Sequence, residues 1–167
     1  MTIKSKPIQF LNCNSDMTEA SELMVVAETP SGKGTFTLRS FEPDEVLYAV
    51  EGEKMSKPSR YTIQIDNHLH IVPITGKFVN HSCKPNTYLD YKTMTFRALR
   101  YIKMGEEITF NYNSTEYEMA EPFECNCGSE KCAGIISGFK NLKPDQQLEL
   151  QSYLPDYLLE RLQELVI

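Results

Sequence analysis

Residues 80–86 read NHSCKPN, a stretch that places an amide, an imidazole, a hydroxyl and a thiol at four consecutive positions. Pro85 cannot continue a helix, because its ring fixes the backbone angle and it has no amide hydrogen to donate. The stretch therefore predicts a loop that carries polar chemistry. Its thiol, on Cys83, raises the first question about function, since the chain has only five cysteines.

Three further cysteines, Cys125, Cys127 and Cys132, lie within eight residues in the stretch FECNCGSEKCAG. Thiols at this spacing are typical of a loop that wraps a metal ion, and zinc is the natural expectation for such a loop. Two glycines, Gly128 and Gly134, would let the backbone turn around the ion. The cluster predicts a zinc site at this point of the chain.

A structural zinc site is closed by four ligands, and the cluster supplies three of them. The chain has two more cysteines, Cys13 and Cys83. Cys13 lies in a polar N-terminal stretch, so we expect Cys83 to complete the site and to tie the NHSC loop to the cysteine cluster. Two alternatives stay open: the cysteines are ordinary buried apolar residues, or the zinc is catalytic and keeps an open position.

The composition is that of a globular protein of one domain, with 41% hydrophobic residues in a chain of 167. No apolar run approaches the ~20 residues that a membrane helix needs, and the N-terminal stretch lacks the apolar segment of a secretory signal. We therefore expect a cytoplasmic protein, or a nuclear one in a eukaryote, and no membrane partner. A net charge of −6 argues against nucleic acid and favours a basic partner, unless the charge serves solubility alone.

Short strands separated by turn residues dominate the sequence between residues 22 and 112. The stretches that we assign to strands are ELMVVAET, PSGKGTFTLRSF, DEVLYAVEGE, YTIQID, LHIVPI, TMTFRALRYI and EEITFNY. Asp66-Asn67, between the fourth and the fifth of these, predicts a hairpin. The pattern indicates a mainly β fold.

Helical periodicity is confined to the C-terminal stretch, where residues 144–166 predict two short helices broken at Pro155. Their apolar stripe consists of Leu154, Leu158, Leu162, Leu165 and Val166. The stripe favours packing on the chain's own core, or a lid over the site, more than a surface for a partner.

Four stretches together resemble SET-domain protein lysine methyltransferases that carry a post-SET zinc loop, and the compact build resembles small bacterial or viral members. The stretches are GKG at 32–34, KFVNHSCKPN at 77–86, GEEITFNY at 105–112 and CNCGSEKC at 125–132, in the family's order and spacing. The resemblance covers residues 22–140. It implies a SET-domain fold of small curved sheets, in which a C-terminal segment is threaded beneath the loop before NHSC.

The resemblance also implies a division of the chain. Residues 1–21 would be an N-terminal extension, 22–115 the SET domain, 116–140 the post-SET zinc-binding loop and 141–167 a C-terminal helical segment. The metal ligands would be Cys83, Cys125, Cys127 and Cys132.

The cofactor implied by the resemblance is S-adenosylmethionine, whose sulfonium makes the transferred methyl group electrophilic. Asn80 would offer a donor and an acceptor to the methionine end, and His81 would contribute mainly its backbone, with a structural side chain. Gly32 and Gly34 would let the backbone approach the cofactor closely. The full set of implied cofactor-binding residues is Lys33, Gly34, Asn80, His81, Tyr112, Cys125 and Asn126.

Tyr112 resembles the family's catalytic tyrosine. Methyl transfer is an in-line displacement, which requires that a neutral lysine amine be aligned with the methyl group and that water be excluded. The Tyr112 hydroxyl can orient the amine without acting as a base, since an ordinary phenol titrates near ~10.

Phe110 is the second residue to which the resemblance gives a role in catalysis. A tyrosine at this position would hold an ordered water beside the amine, in the space that a growing methylamine needs. Phenylalanine has no hydroxyl to hold that water, so we expect two or three methyl groups to be added.

Two positions depart from the family's pattern, with Asn111 in place of an aspartate and Val50 in place of a tyrosine. The regions that usually select the substrate are short, which leaves the identity of the substrate open. The sequence also leaves the oligomeric state open. We expect a lysine-containing, basic protein or peptide as the substrate. The alternatives are a non-catalytic SET-fold binding module and a methyltransferase for a small amine or a natural-product peptide.

Overall fold

The structure is a computed structural model that describes residues 22–30 and 32–164. The strands are β1 (Met24–Thr29), β2 (Gly32–Thr37), β3 (Val46–Ala49), β4 (Gly52–Met55), β5 (Ile63–Asp66), β6 (Leu69–Pro73), β7 (Asn80–His81), β8 (Thr87–Asp90), β9 (Thr95–Ala98), β10 (Thr109–Phe110), β11 (Phe123–Glu124) and β12 (Ile135–Ile136). The helices are α1 (Pro144–Glu149) and α2 (Asp156–Glu164), with 3₁₀ helices at Tyr112–Ser114, Phe139–Asn141 and Gln151–Tyr153. The predicted mainly β fold is confirmed, and the predicted N-terminal extension lies outside the described residues.

The strands of the described residues form small sheets. Two of the sheets have three strands, in the orders β3-β9-β8 and β4-β6-β5, and the pairs β1-β2, β7-β10 and β11-β12 form the others. The hairpin predicted around Asp66-Asn67 is confirmed, since β5 and β6 pair antiparallel with Asp66 opposite Leu69.

The strand prediction differs from the structure at several points, and it lacks the two-residue strands β7, β11 and β12. The stretch DEVLYAVEGE is not one strand, because the hydrogen bonding changes partner inside it: the Val50 amide donates to the Met94 carbonyl, and the Glu51 carbonyl accepts from the Ile74 amide. Strand β3 therefore ends there, and β4 begins in another sheet. Strand β8 is absent from the prediction because its sequence, TYLD, holds a single aliphatic residue.

A row of aromatic rings runs from the main core to the predicted site. Phe96 is fully buried in that core. Its ring stacks on Tyr48 with centroids 5.1 Å apart and meets Phe110 edge to face at 5.0 Å. Phe110 in turn contacts the Tyr112 ring at 4.7 Å. The position of Tyr112 is therefore coupled to the packing of the core.

The C-terminal stretch forms two helices separated at Pro155, as predicted. Its apolar stripe is buried in a second hydrophobic cluster that contains Phe139, Leu154, Tyr157, Leu158 and Leu162. The prediction of core packing is confirmed for these residues, while Leu165 and Val166 lie outside the described part of the chain. No helix within residues 22–30 and 32–164 has the length and apolar character needed to cross a membrane.

Strands β7 and β10 pair in parallel and bring two of the sequence stretches together. Asn80 lies opposite Thr109, and His81 lies opposite Phe110. The Ser82 amide extends this contact by donating to the Phe110 carbonyl over 3.0 Å. The NHSC loop and the end of EEITFNY are thus direct neighbours, while the threading of the C-terminal segment stays a prediction.

Candidate active site

Tyr112 follows strand β10 and begins a short 3₁₀ helix. Its hydroxyl donates a hydrogen bond to the Val79 carbonyl oxygen over 2.8 Å, and its ring lies among Phe110, His81 and Phe123. Burial raises the pKa of Tyr112 to about 12. The hydroxyl is therefore protonated at neutral pH and held in one orientation.

A cavity opens beside the Tyr112 ring. Phe110 and Tyr112 both line it, together with Arg60, Tyr61 and Glu116 among others. Strand alternation predicts that the rings of Phe110 and Tyr112 share one face of β10, but the strand ends at Phe110. Direct ring packing, with the centroids 4.7 Å apart, places both on the cavity instead. The cavity is the candidate position for the reacting side chain of a substrate.

The side-chain amide of Asn80 is held by two acceptors. Its Nδ2 donates to the Lys33 carbonyl oxygen over 3.0 Å and to Glu107 Oε1 over 2.8 Å. Among the described residues, Asn80 Oδ1 has no hydrogen-bond partner, so it remains an acceptor for a ligand. The Lys33 side chain is exposed, with its ammonium 5.1 Å from the centre of the Phe78 ring.

Gly34 occupies a position that the protein's own side chains crowd. A Cβ at residue 34 would lie 2.5 Å from Glu107 Oε1, 2.9 Å from Thr29 Cγ2 and 3.2 Å from Asn80 Nδ2. Steric crowding within the protein is therefore a second reason for a glycine at this position, in addition to the predicted close approach of a cofactor. A Cβ at Gly32 would meet no atom within 4 Å.

The His81 ring connects Tyr112 to the cysteine cluster. Its Nδ1 accepts a hydrogen bond from the Tyr112 amide over 3.1 Å, and its Nε2 lies 3.3 Å from Cys83 Sγ. Burial lowers the pKa of His81 to about 4, which keeps the ring neutral. The prediction of a structural side chain for His81 agrees with these contacts.

The four predicted metal ligands converge in space. The ligand atoms of Cys83, Cys125, Cys127 and Cys132 all lie within 4.8 Å of one another. Cys83 Sγ lies 3.9 Å from Cys125 Sγ and 4.0 Å from Cys132 Sγ. The cluster could hold a metal ion, and it ties the NHSC loop to the cysteine-rich stretch as predicted.

Two backbone amides beside the cluster donate hydrogen bonds to its sulfur atoms. The Ala133 amide donates to Cys83 Sγ over 3.4 Å, and the Gly134 amide donates to Cys132 Sγ over 3.4 Å. Gly134 reaches this position with a φ of 76°, a left-handed conformation that glycine adopts without strain. Burial raises the pKa of Cys83, and that of Cys125 to about 11. A bound cation would reverse that effect and favour the thiolates.

Two predicted cofactor ligands lie in the same cysteine-rich stretch. The Cys125 amide donates to the Gly134 carbonyl over 2.7 Å, which closes the loop. Asn126 is exposed between Cys125 and Cys127. The cofactor roles of Cys125 and Asn126 stay predictions.

Three residues at the site were missed by sequence reasoning. Glu107 holds the Asn80 amide, but no spacing rule connects these two positions. Phe123 is 37% exposed and lies 5.9 Å from the His81 ring, and its only sequence signal is its place just before the cysteine cluster. Glu116 lines the cavity, although its sequence neighbours indicate an ordinary loop.

A SET domain family model matches residues 20–113, which is more than half of the chain. The chain belongs to the SET-domain family. Its curated relatives include a histone-lysine N-methyltransferase of Coccidioides immitis described as H3 lysine-36 specific, 32% identical, covering 72% of this SET-domain chain and 14% of the relative. The methyltransferase flvH of Aspergillus flavus is 41% identical over 68 residues, which are 40% of the chain and 38% of the relative.

The SET-domain chain thus spans between 14% and 38% of the length of these two relatives. Among solved structures, it resembles KRYPTONITE in complex with mCHG DNA and SAH, with a TM-score of 0.57 and 17% identity. The match covers 71% of this chain and 30% of that one. At this level of identity the likeness concerns the fold, and it confirms the SET-domain architecture.

Proposed function

We propose that this SET-domain chain transfers methyl groups from S-adenosylmethionine to the side-chain amine of lysine in a protein or peptide. The observation that carries the proposal is the fixed, protonated hydroxyl of Tyr112 on a cavity beside the Asn80 strand. The name of the Coccidioides immitis relative, a histone-lysine N-methyltransferase, supports the same activity.

Groups beside strand β7 suit the cofactor, which when bound supplies an electrophilic methyl group on a sulfonium. Asn80 Oδ1 and the Glu107 carboxylate would accept hydrogen bonds from the ammonium of its methionine end. The backbone of Lys33 and Gly34 lies against the Asn80 amide and would line the same position. The exposed ring of Phe123 offers an aromatic face on which a planar base can stack.

Tyr112 would position the acceptor amine. Because its hydroxyl hydrogen is committed to the Val79 carbonyl, the oxygen can accept a hydrogen bond from an N–H of the amine and direct the nitrogen lone pair elsewhere. Phe110 closes the cavity beside it with an apolar ring, which has no hydroxyl of its own to retain a water. Holding the amine in one orientation is the main requirement of an in-line transfer.

We propose that the four cysteines bind one structural zinc ion. A tetrahedral zinc with four sulfur ligands at ~2.3 Å separates the sulfur atoms by about 3.8 Å. The distances of 3.9 and 4.0 Å from Cys83 Sγ to two of its neighbours support this geometry. The two amide donors to sulfur would stabilise the thiolates in the same way.

The substrate is proposed to be a basic protein segment that contains lysine. The net charge of −6 would attract such a segment, and the relatives described as H3 lysine-36 specific suggest histone H3 as the first candidate to test. Phe110 leads us to propose two or three methyl groups per lysine.

The direct test incubates the protein with labelled S-adenosylmethionine and either recombinant histone H3 or a mixed lysate, followed by mass spectrometry of modified residues. We expect label on lysine. Tyr112→Phe should lower the rate on the order of 10²-fold, the usual effect of removing one preorganised hydrogen-bonding group. Tyr101→Phe is the matched control, because Tyr101 is 50% exposed and lies outside the cavity.

Other outcomes would replace the proposal. Cofactor binding without transfer to any acceptor would indicate a binding module. Label found only on small amines would indicate the small-molecule alternative. A Tyr112→Phe variant as active as the wild type would remove the catalytic role of Tyr112.

A further inference from the structure

Glu116 is a carboxylic acid buried at the cavity. Its side chain is 8% exposed, and Oε1 accepts hydrogen bonds from the Gln64 backbone amide over 2.7 Å and from Thr115 Oγ1 over 3.2 Å. These two contacts hold the carboxyl group in place. One donor lies on strand β5, and the other belongs to the residue that directly precedes Glu116. A buried carboxylate costs free energy unless hydrogen bonds or a charged partner compensate for the loss of water.

The second oxygen of Glu116 has no hydrogen bond among the described residues. Nδ1 of His70, on strand β6, lies 3.9 Å from this oxygen. That nitrogen is itself buried and unpartnered in the described structure. Glu116 Oε2 and His70 Nδ1 therefore form a pair with unused hydrogen-bonding capacity.

Glu116 shares its cavity with the residues that we assign to the amine. The same lining contains Tyr112 and Phe110, and the backbone of Glu116 is held to Tyr112 because its amide donates to the Tyr112 carbonyl over 2.9 Å. A lysine side chain that enters the cavity toward Tyr112 would therefore lie in a pocket that Glu116 also lines.

Lysine reaches the enzyme as an ammonium, which has no lone pair for the transfer. We infer that Glu116 accepts the proton of the substrate ammonium, an inference that rests on the function proposed above. The N–H bond breaks with its electron pair left on nitrogen, and the proton moves to a Glu116 carboxylate oxygen. The products of this step are a neutral amine beside Tyr112 and a neutral carboxyl group, whose Oε2 lies 3.9 Å from His70 Nδ1.

The acidity of Glu116 suits this role. Burial raises its pKa to about 7, above the ordinary value of 4.5, although the hydrogen bonds from Gln64 and Thr115 oppose the rise. A general base works best when its pKa lies near the working pH. The titratable and charged groups that surround Glu116 or line its cavity are His70, Tyr91, Tyr112, Tyr157, Arg60, Tyr61 and Lys77.

The first experiment measures the pH dependence of methyl transfer in Glu116→Gln, whose amide oxygen can keep the Gln64 contact. We expect a rate on the order of 10²-fold lower at pH 7, with the deficit shrinking toward pH 10 as the lysine amine loses its proton unaided. Glu118→Gln is the matched control, because Glu118 is exposed and pairs with Lys140 at 2.7 Å outside the cavity. A constant deficit at all pH values, or no deficit, would overturn the inference.

A second measurement needs no turnover. Carbon-13 NMR of labelled glutamate carboxyl groups identifies the Glu116 signal by its absence in Glu116→Gln, and n-butylamine serves as a probe that mimics the lysine side chain. We expect the Glu116 signal to titrate near neutral pH and to shift when n-butylamine is added at millimolar concentration. A signal that n-butylamine leaves unmoved would overturn the inference.

The two measurements separate this inference from the proposed function. If the wild type transfers no methyl group to lysine, the proposed function fails, and the n-butylamine titration still decides the role of Glu116. If Glu116→Gln does not fold, the titration of the wild type decides alone, with its signal assigned through the conservative Glu116→Asp variant.

Discussion

The His81 ring accepts a hydrogen bond from the Tyr112 backbone amide over 3.1 Å. Since Nδ1 is the acceptor in a neutral ring, Nε2 carries the hydrogen and points it at Cys83 Sγ, 3.3 Å away. One imidazole thus links the backbone of the candidate catalytic tyrosine to a candidate metal ligand. Loss of a metal bound by Cys83 should therefore alter the cofactor and substrate sites.

The first prediction concerns Cys83→Ser. We expect this variant to lose most of its zinc and about tenfold or more of its cofactor affinity, because the same residue would hold the ion and also contacts the His81 ring. Metal analysis of the purified protein and calorimetry with S-adenosylmethionine measure the two effects. Cys13→Ser, at a position outside the described residues, should change neither. Full zinc occupancy in Cys83→Ser, or zinc loss in Cys13→Ser, would contradict the assignment.

The second prediction concerns the number of methyl groups. Phe110 lines the cavity, with its ring 4.7 Å from that of Tyr112. A hydroxyl added to the Phe110 ring would therefore lie near the position proposed for the substrate amine. Phe110→Tyr should hold a water and restrict the product largely to monomethyl-lysine, with the first transfer nearly intact. A difference of ~1 to 3 kcal/mol at the later steps is sufficient, the range for one buried hydrogen-bonding group.

Mass spectra of the products from wild type and Phe110→Tyr decide this prediction. A wild type that stops at one methyl group would refute it, and so would an unchanged pattern in the variant. If Phe110 serves only as core, the substitution should instead impair every transfer step equally.

The third prediction concerns the C-terminal helices. Leu158 is fully buried in the second hydrophobic cluster, so Leu158→Ala should lower the free energy of unfolding by ~2 to 5 kcal/mol. Leu148→Ala is the control, since Leu148 is 51% exposed and should change stability by less than ~0.5 kcal/mol. Urea denaturation of the three proteins measures both. Equal stabilities would mean that the helices are not part of the core.

The fourth prediction concerns stability and pH. The folded protein raises the pKa of Glu116 from 4.5 to about 7, so the folded state binds this proton more tightly than the unfolded state does. The resulting stabilisation is complete below pH 4.5 and is lost as the pH rises through 7. The loss amounts to about 3 kcal/mol over that window.

Urea denaturation at pH 5 and at pH 8 tests this prediction in wild type and Glu116→Gln. Both proteins share the cysteine cluster, so its own titration cancels when their differences are compared. The free energy of unfolding should fall with pH more in the wild type. Equal slopes in the two proteins would show that Glu116 titrates normally in the folded state.

Several features of this protein follow from the sequence by itself. The spacing of Cys125, Cys127 and Cys132 predicts a metal loop, and the scarcity of cysteine leaves Cys83 as the plausible fourth ligand. The break at Pro155 and the apolar stripe around it predict the two helices and their buried face. The metal-loop and helix signals are local, because they depend on short spacings, on proline or on the repeat of a single element. Cys83 is assigned instead by elimination, because the chain has only five cysteines.

Other features were decided only by the tertiary structure. Asn80 meets Glu107, and Glu116 lies beside His70, because segments from distant parts of the chain pack against one another. Residues in such contacts leave no period or spacing in the sequence, since each partner is a single polar residue in its own segment. The burial that makes Glu116 a weak acid is likewise a property of the packed cavity, and no reading of its neighbours in the sequence contains it.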